Sequence, residues 1–114
     1  MAKPKWKVER ERKRAELESS LLENLEARGL VEDVYRDKVQ EYMGLWDRLQ
    51  DLRQDIKLRG IAVLDAKRGM MVENRSVSLA VQVSRQMLAI YDALGFKEQA
   101  KGAAISPGGE DDEL

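Results

Sequence analysis

The chain has 114 residues, of which 36% are charged, yet its formal net charge is only −1, and it contains no Cys and no His. This length allows about one domain, and the two missing residue types exclude disulfides, thiolate nucleophiles, the common zinc sites and a histidine general base. No apolar run approaches the ~20 residues of a membrane span, and the first residues lack the apolar segment of a secretory signal, so we expect a soluble intracellular protein.

The charges are unevenly distributed along the chain. Residues 1–14 form a predicted basic N-terminal arm in which Trp6 lies among the cations, and the candidate DNA contacts there are Lys5, Lys7, Arg10, Arg12, Lys13 and Arg14. A helical core is predicted over residues 15–101, and a flexible acidic tail over residues 102–114 ends in Glu110, Asp111, Asp112 and Glu113. Ends of opposite sign suggest two different partners, although solvated ends that keep the protein soluble are the simpler interpretation.

Helical periodicity begins directly after the basic residues. Leu17, Leu21 and Leu25 recur every four residues, with Leu22 beside them, which predicts a helix with one apolar stripe. Gly29 then ends this helix, because glycine readily adopts the left-handed conformation that closes a helix.

A second, much longer helix is predicted from shortly after Gly29 to about Arg59. Its apolar and aromatic seam has the alternating steps of four and three that are typical of coiled coils. The predicted oligomer interface on this seam comprises Tyr35, Val39, Tyr42, Trp46 and Leu49. Such a helix far exceeds the average length of about 11–12 residues, so we expect copies of the chain to associate along it.

The opposite face of the long helix carries an acidic ridge, Asp47, Asp51 and Asp55. Such a ridge could be a metal or acid–base site, but a solvated helix face is the more frequent explanation.

A short β-hairpin, or alternatively an irregular loop, is predicted after Gly60. Two β-prone stretches, residues 61–64 and 70–72, flank a turn at residues 65–69. Lys67 and Arg68 lie in this turn and complete the candidate DNA contacts, with Arg59 and Arg75 at the base of the hairpin.

The third predicted helix is capped by Asn74 or Ser76, whose side-chain oxygen can accept from a free backbone N–H. Gly95 ends it, and Phe96 is expected to fold back onto the last turn. Its predicted buried stripe comprises Val77, Val81, Ser84, Leu88 and Tyr91, widened by Ala80, Met87 and Leu94.

No recognisable catalytic motif accompanies these elements. The sequence lacks a phosphate-binding loop, since neither Gly60 nor Gly69 precedes a Lys-Ser/Thr pair. Paired carboxylates lie on charged helix faces, whereas acid–base catalysis needs them in a dry cleft. We therefore expect neither enzymatic activity nor a cofactor or metal, and the basic residues favour contacts to nucleic-acid phosphates.

The order of these elements resembles that of phage terminase small subunits. The resemblance covers about residues 15–101. The shared pattern is a Tyr/Trp-rich helix, a Gly, a turn, an Asn, a helix and a Leu-Gly-aromatic end. The matching residues are Tyr35, Tyr42, Trp46, Gly60, Asn74, Leu94, Gly95 and Phe96. The sequence departs from the family pattern in three places. Arg75 replaces a Pro, Lys97-Glu98 replaces Thr-Pro, and Lys101 lies near a common Arg.

The resemblance implies a non-enzymatic packaging component of the host cytoplasm. Such proteins form homo-oligomeric rings, bind the packaging site of double-stranded viral DNA, and recruit and regulate the large terminase subunit with its ATPase and nuclease. The acidic tail would then dock a basic partner. The implied fold is mainly α: a helical hairpin with a long central helix, a short β-hairpin or loop, and a third helix.

Two other functions remain open from the sequence. A helical scaffold or adaptor would act only through protein–protein assembly, and DNA binding would distinguish it from a packaging component. A small helix-turn-helix regulator is disfavoured because the helix after Gly29 is far longer than a recognition helix.

Overall fold

The computed structural model describes residues 2–97, so the predicted acidic tail with Glu110, Asp111, Asp112 and Glu113 lies outside the described residues. The element order is α1 (Lys5–Ala27), α2 (Asp33–Arg59), β1 (Ala62–Asp65), β2 (Met70–Glu73) and α3 (Arg75–Ala93). The predicted fold class, mainly α with a short hairpin before the third helix, is confirmed. The chain divides into two compact units, and the boundary falls between Gly44 and Leu45, inside α2.

Helix α1 extends through most of the predicted basic arm. It begins at Lys5, and the carbonyl of Pro4 accepts from the N–H groups of Lys7 and Val8 at 3.0 and 3.2 Å. Leu21 and Leu25 of the predicted stripe are buried, at 7% and 1% exposure. The basic residues therefore occupy the first turns of the same helix that supplies the apolar stripe.

The predicted end of α1 at Gly29 is confirmed. Gly29 has a φ of +79° and donates to the carbonyl of Glu26, while Leu30 donates to that of Leu25, both at 2.9 Å. This pair of bonds is the Schellman arrangement, which satisfies the last helical carbonyls and reverses the chain.

The first half of α2 buries two residues, Val39 and Met43, completely. Val39 belongs to the predicted seam, but Met43 does not, and the seam residue Tyr42 is only half-buried. Gln40 Nε2 donates to Glu18 Oε2 at 2.6 Å, which ties this half of α2 to α1.

The predicted buried stripe of α3 is only partly correct: Met87 and Leu94 are buried, but its central residues are not. Val81 and Leu88 are 47% and 57% exposed, and Ser84 is exposed, whereas Val77 and Tyr91 are half-buried. The side chains that α3 does bury are Ser76, Val83, Met87 and Ile90. Apolar residues with helical spacing occur on both faces of this helix, so periodicity alone could not select the buried one.

The end of α3 agrees with its prediction. Gly95 has a φ of +82° and donates to the carbonyl of Asp92 at 3.0 Å. Phe96, 6% exposed, folds back so that its ring centroid lies 5.2 Å from that of Tyr91. A left-handed glycine followed by an apolar contact of this kind closes the helix.

The predicted hairpin is also confirmed. Its strands pair antiparallel, with Val63 opposite Val72 and Leu64 opposite Met71. Because side chains alternate between the two faces of a strand, these two pairs lie on opposite faces. Val63 and Val72 are half-buried, whereas Leu64 and Met71 are 65% and 60% exposed.

Substitution of two valines of α2 tests the burial. Val39→Ala should lower the free energy of unfolding by about 2 kcal/mol because it removes two fully buried methyl groups. Val34→Ala, at a position that is 59% exposed on the same helix, should change it by less than about 0.5 kcal/mol. Urea unfolding at several protein concentrations measures both. A destabilisation at Val39 that varies with concentration would instead place Val39 between copies of the chain.

Candidate functional site

The helical geometry of α1 divides the basic residues between faces. Lys5 and Arg12, seven residues apart, lie on one face together with Glu9 and Glu16. Arg12 forms ion pairs of 2.9 Å with each of these glutamates. The hydrogen bond and charge of Glu9, followed by those of Glu16, raise the pKa of Arg12 above its usual value. This face of α1 is therefore largely neutralised within the helix.

A second face of α1 carries three basic residues. Lys7, Arg10 and Arg14 follow one another at steps of three and four, so they share a face. Arg14 lies 3.4 Å from Glu18, and Lys7 Nζ lies 5.9 Å from the ring centroid of Trp6, within cation–π range. In the described part of the chain, Lys5, Lys7 and Lys13 are exposed and form no ion pair.

The hairpin turn, the second candidate DNA contact, is organised by Asp65. Its Oδ1 accepts from the backbone N–H groups of Lys67 and Arg68 at 3.0 and 3.3 Å, and its Oδ2 accepts from Arg68 Nε at 3.0 Å. The charge of Arg68 is thus paired inside the turn. Lys67 is exposed at the tip of the hairpin, and its ammonium forms no ion pair with any described residue.

Below the hairpin, the side chain of Asn74 is fully buried. Its Nδ2 donates to Asp55 Oδ2 at 3.1 Å and to the carbonyl of Gly60 at 2.9 Å. Its Oδ1 accepts from the N–H of Ser76 at 3.0 Å, which confirms Asn74 as the cap of α3, and from Arg59 Nη2 at 3.3 Å. The end of α2, the start of the hairpin and the start of α3 are therefore joined at one side chain.

Asp55 completes this cluster. It accepts two hydrogen bonds from Arg59, at 2.7 and 2.8 Å, and one from Ser76 Oγ at 2.6 Å. These bonds, those of Arg59 first, hold the pKa of Asp55 well below its usual range. From the sequence, Asp55 is predicted on a solvated ridge and Arg59 among the basic residues at the base of the hairpin, and their pairing was not predicted. The spacing of four residues on one helix could have predicted the ion pair between Asp55 and Arg59, because such residues are neighbours on the helix surface.

No metal site emerges from the acidic ridge in the described part of the chain. Within residues 2–97, no group of three His, Cys, Asp or Glu side chains converges closely enough to hold an ion. Over the same range, no helix is long and apolar enough to cross a membrane.

The predicted interface residues of α2 divide by burial. Val39 and Leu49 are buried within the single chain, at 0% and 5% exposure, so they belong to its own core. Tyr35, Tyr42 and Trp46 are half-buried and present part of their aromatic surface to solvent.

Comparison with protein families gives a match over most of the chain. A family model described as phage terminase, small subunit, matches residues 19–111. The match includes Asn74 and the hairpin, whereas the basic residues between Lys5 and Arg14 precede it. No curated protein and no solved structure matches the chain.

The lowered pKa of Asp55 predicts a pH-dependent stability. A carboxylate with a folded-state pKa below its unfolded value of about 3.9 stabilises the fold above that pH, and the contribution is lost as the pH falls through the folded-state pKa. Asp55→Asn should therefore lower stability at neutral pH and flatten the decline between about pH 5 and pH 2. Chemical unfolding across this range is the measurement, with Asp37→Asn, an exposed position of α2, as control. Parallel curves for Asp55→Asn and the wild type would contradict the assignment.

Proposed function

Because the chain belongs to the phage terminase small-subunit family, we propose that it binds viral packaging-site DNA as an oligomeric ring and recruits and regulates the large terminase subunit. Family membership by itself supports a role in phage DNA packaging, and small subunits of this family are generally non-catalytic. The observation that carries the proposal is the match over residues 19–111. The match does not itself include DNA binding, ring formation or regulation of the large subunit, which are therefore parts of the proposal.

The exposed lysines of α1 support DNA binding. Lys5, Lys7 and Lys13 lack ion pairs among the described residues, so each can neutralise a phosphate without first breaking one. Phosphate contacts release counterions and give a salt-dependent affinity that is independent of sequence. One copy offers few contacts, whereas several copies in a ring bind together through a high effective concentration.

The aromatic residues of α2 support association between copies. Tyr35, Tyr42 and Trp46 expose part of a large apolar surface, and aromatic side chains contribute strongly to subunit interfaces. Val39 and Leu49 are buried in the single chain and support this helix from its own core.

The acidic residues Glu110, Asp111, Asp112 and Glu113 are the proposed contact to the large subunit. Four carboxylates in succession would complement a basic surface and steer its approach. This segment lies outside the described residues, so the proposal depends on its charge and position in the sequence.

An adaptor that works only through protein contacts is the second candidate function. The exposed apolar residues Leu64 and Met71 on the hairpin favour it, because they offer a surface for another protein. A chain that fails to bind DNA even at low salt would leave this alternative in place.

A salt titration tests the DNA contacts. Replacing Lys5, Lys7 and Lys13 together by Gln should reduce the slope of log affinity against log salt by roughly 1 for each phosphate that is no longer neutralised. A gel-shift series with packaging-site DNA measures the slope. The matched variant replaces Lys67 and Arg68 by Gln. If only this second variant flattens the slope, the contacts lie on the hairpin instead.

Truncation tests the acidic tail. A chain lacking residues 103–114 should bind DNA and assemble as the full chain does, but it should no longer stimulate the large-subunit ATPase. Neutralising the four acids by Gln and Asn at full length separates charge from length and should have the same effect. Unchanged stimulation in both variants would exclude the tail from the regulation of the large subunit.

A further inference from the structure

An open apolar groove lies between the second half of α2 and α3. Its volume is about 470 Å³, and its lining residues include Leu49, Arg53, Ile56, Val81, Arg85 and Leu88. Val81 and Leu88, at 47% and 57% exposure, are the residues that the periodicity of α3 predicted to be buried. Apolar side chains at helical spacing indicate a surface made for contact, yet residues 2–97 of a single chain leave it uncovered.

A second uncovered apolar surface lies on the outer face of the hairpin. Leu64 and Met71 pair across the strands and are 65% and 60% exposed. The next pair on the same face is Ala62 with Glu73. This face is thus an apolar ridge with one carboxylate beside it.

The unpaired charges on the two surfaces are opposite in sign. Arg53 and Arg85 line the groove, and Glu73 flanks the ridge. All three residues are exposed, and none forms an ion pair in the described part of the chain. One compact unit therefore carries an apolar groove with two cations and an exposed apolar hairpin ridge with one anion.

We propose that the hairpin ridge of one copy occupies the α2–α3 groove of the next copy. The proposal rests on the ring proposed above and identifies a contact that closes it. Because ridge and groove are different surfaces of the same chain, the contact is head-to-tail, and repetition of such a contact generates a ring when the rotation closes. Leu64 and Met71 then lie against Val81 and Leu88, and Glu73 pairs with the arginines.

Charge reversal tests this contact. The hairpin variant is Glu73→Arg, and the groove variant combines Arg53→Glu with Arg85→Glu. Each places like charges in the contact and should raise the dissociation constant of the oligomer at least about tenfold. Light scattering and sedimentation over a range of concentrations measure it. Arg48→Glu, an exposed charge of α2 outside the groove, is the control and should leave assembly unchanged, and circular dichroism checks that every variant is folded.

An equimolar mixture of the two variants makes the test specific to contacts between copies. In an alternating assembly, each reversed hairpin meets a reversed groove and each native hairpin meets a native groove, so the mixture should assemble although neither variant does alone. A contact within one chain could not be restored in this way.

The outcomes separate this inference from the proposed function. If the wild type is oligomeric and both variants remain so, the groove contact is wrong while the ring stands. If each variant dissociates but the mixture does not reassemble, the groove holds another segment, such as acidic residues 110–113 of the chain, and the inference also fails. A wild type that stays monomeric at all concentrations would overturn the ring and the contact together.

Discussion

Asn74 is fully buried, and both its amide donors and its carbonyl oxygen bond to groups from the end of α2, from Gly60 and from the first turn of α3. A buried amide that loses a partner costs about 1–3 kcal/mol. An alternative arrangement of these segments would have to replace every bond. This constraint fixes where the hairpin leaves the helices, and the bonds from Arg59 and Ser76 hold the carboxylate of Asp55 in the same cluster.

The helical geometry of α1, rather than the order of its residues along the sequence, decides which charged side chains pair with one another. A helix turns a linear run of cations into separate faces, and the acids spaced three and four residues away neutralise one of them, as Glu9 and Glu16 do for Arg12. In the proposed function, Lys5, Lys7 and Lys13, which are exposed and form no ion pair among the described residues, supply the affinity for phosphates. These lysines precede the family match, whereas the Asn74 cluster and hairpin lie inside it.

The described part of a single chain leaves apolar surface exposed, and in the proposed function copies of the chain bury this surface when they associate. A short chain buries a smaller fraction of its surface than a long one, and α3 carries apolar residues on two faces. One face, with Val83 and Met87, belongs to the core of its unit, while the other, with Val81 and Leu88, lines an open groove. In the contact proposed above, the ridge of Leu64 and Met71 on a neighbouring copy covers this remaining face of α3.

The sequence by itself determined the helix ends at Gly29 and Gly95, narrowed the cap of α3 to Asn74 or Ser76, favoured a hairpin over an irregular loop and supplied the candidate basic residues. Each of these features depends on backbone conformation or hydrogen bonds within a few residues. Only the tertiary structure decided that Val83 rather than Val81 is buried, that Met43 joins Val39 in the core, and that Asp55 meets Ser76 across 21 positions of sequence. Such choices depend on which helix faces meet, and apolar spacing is the same on either face.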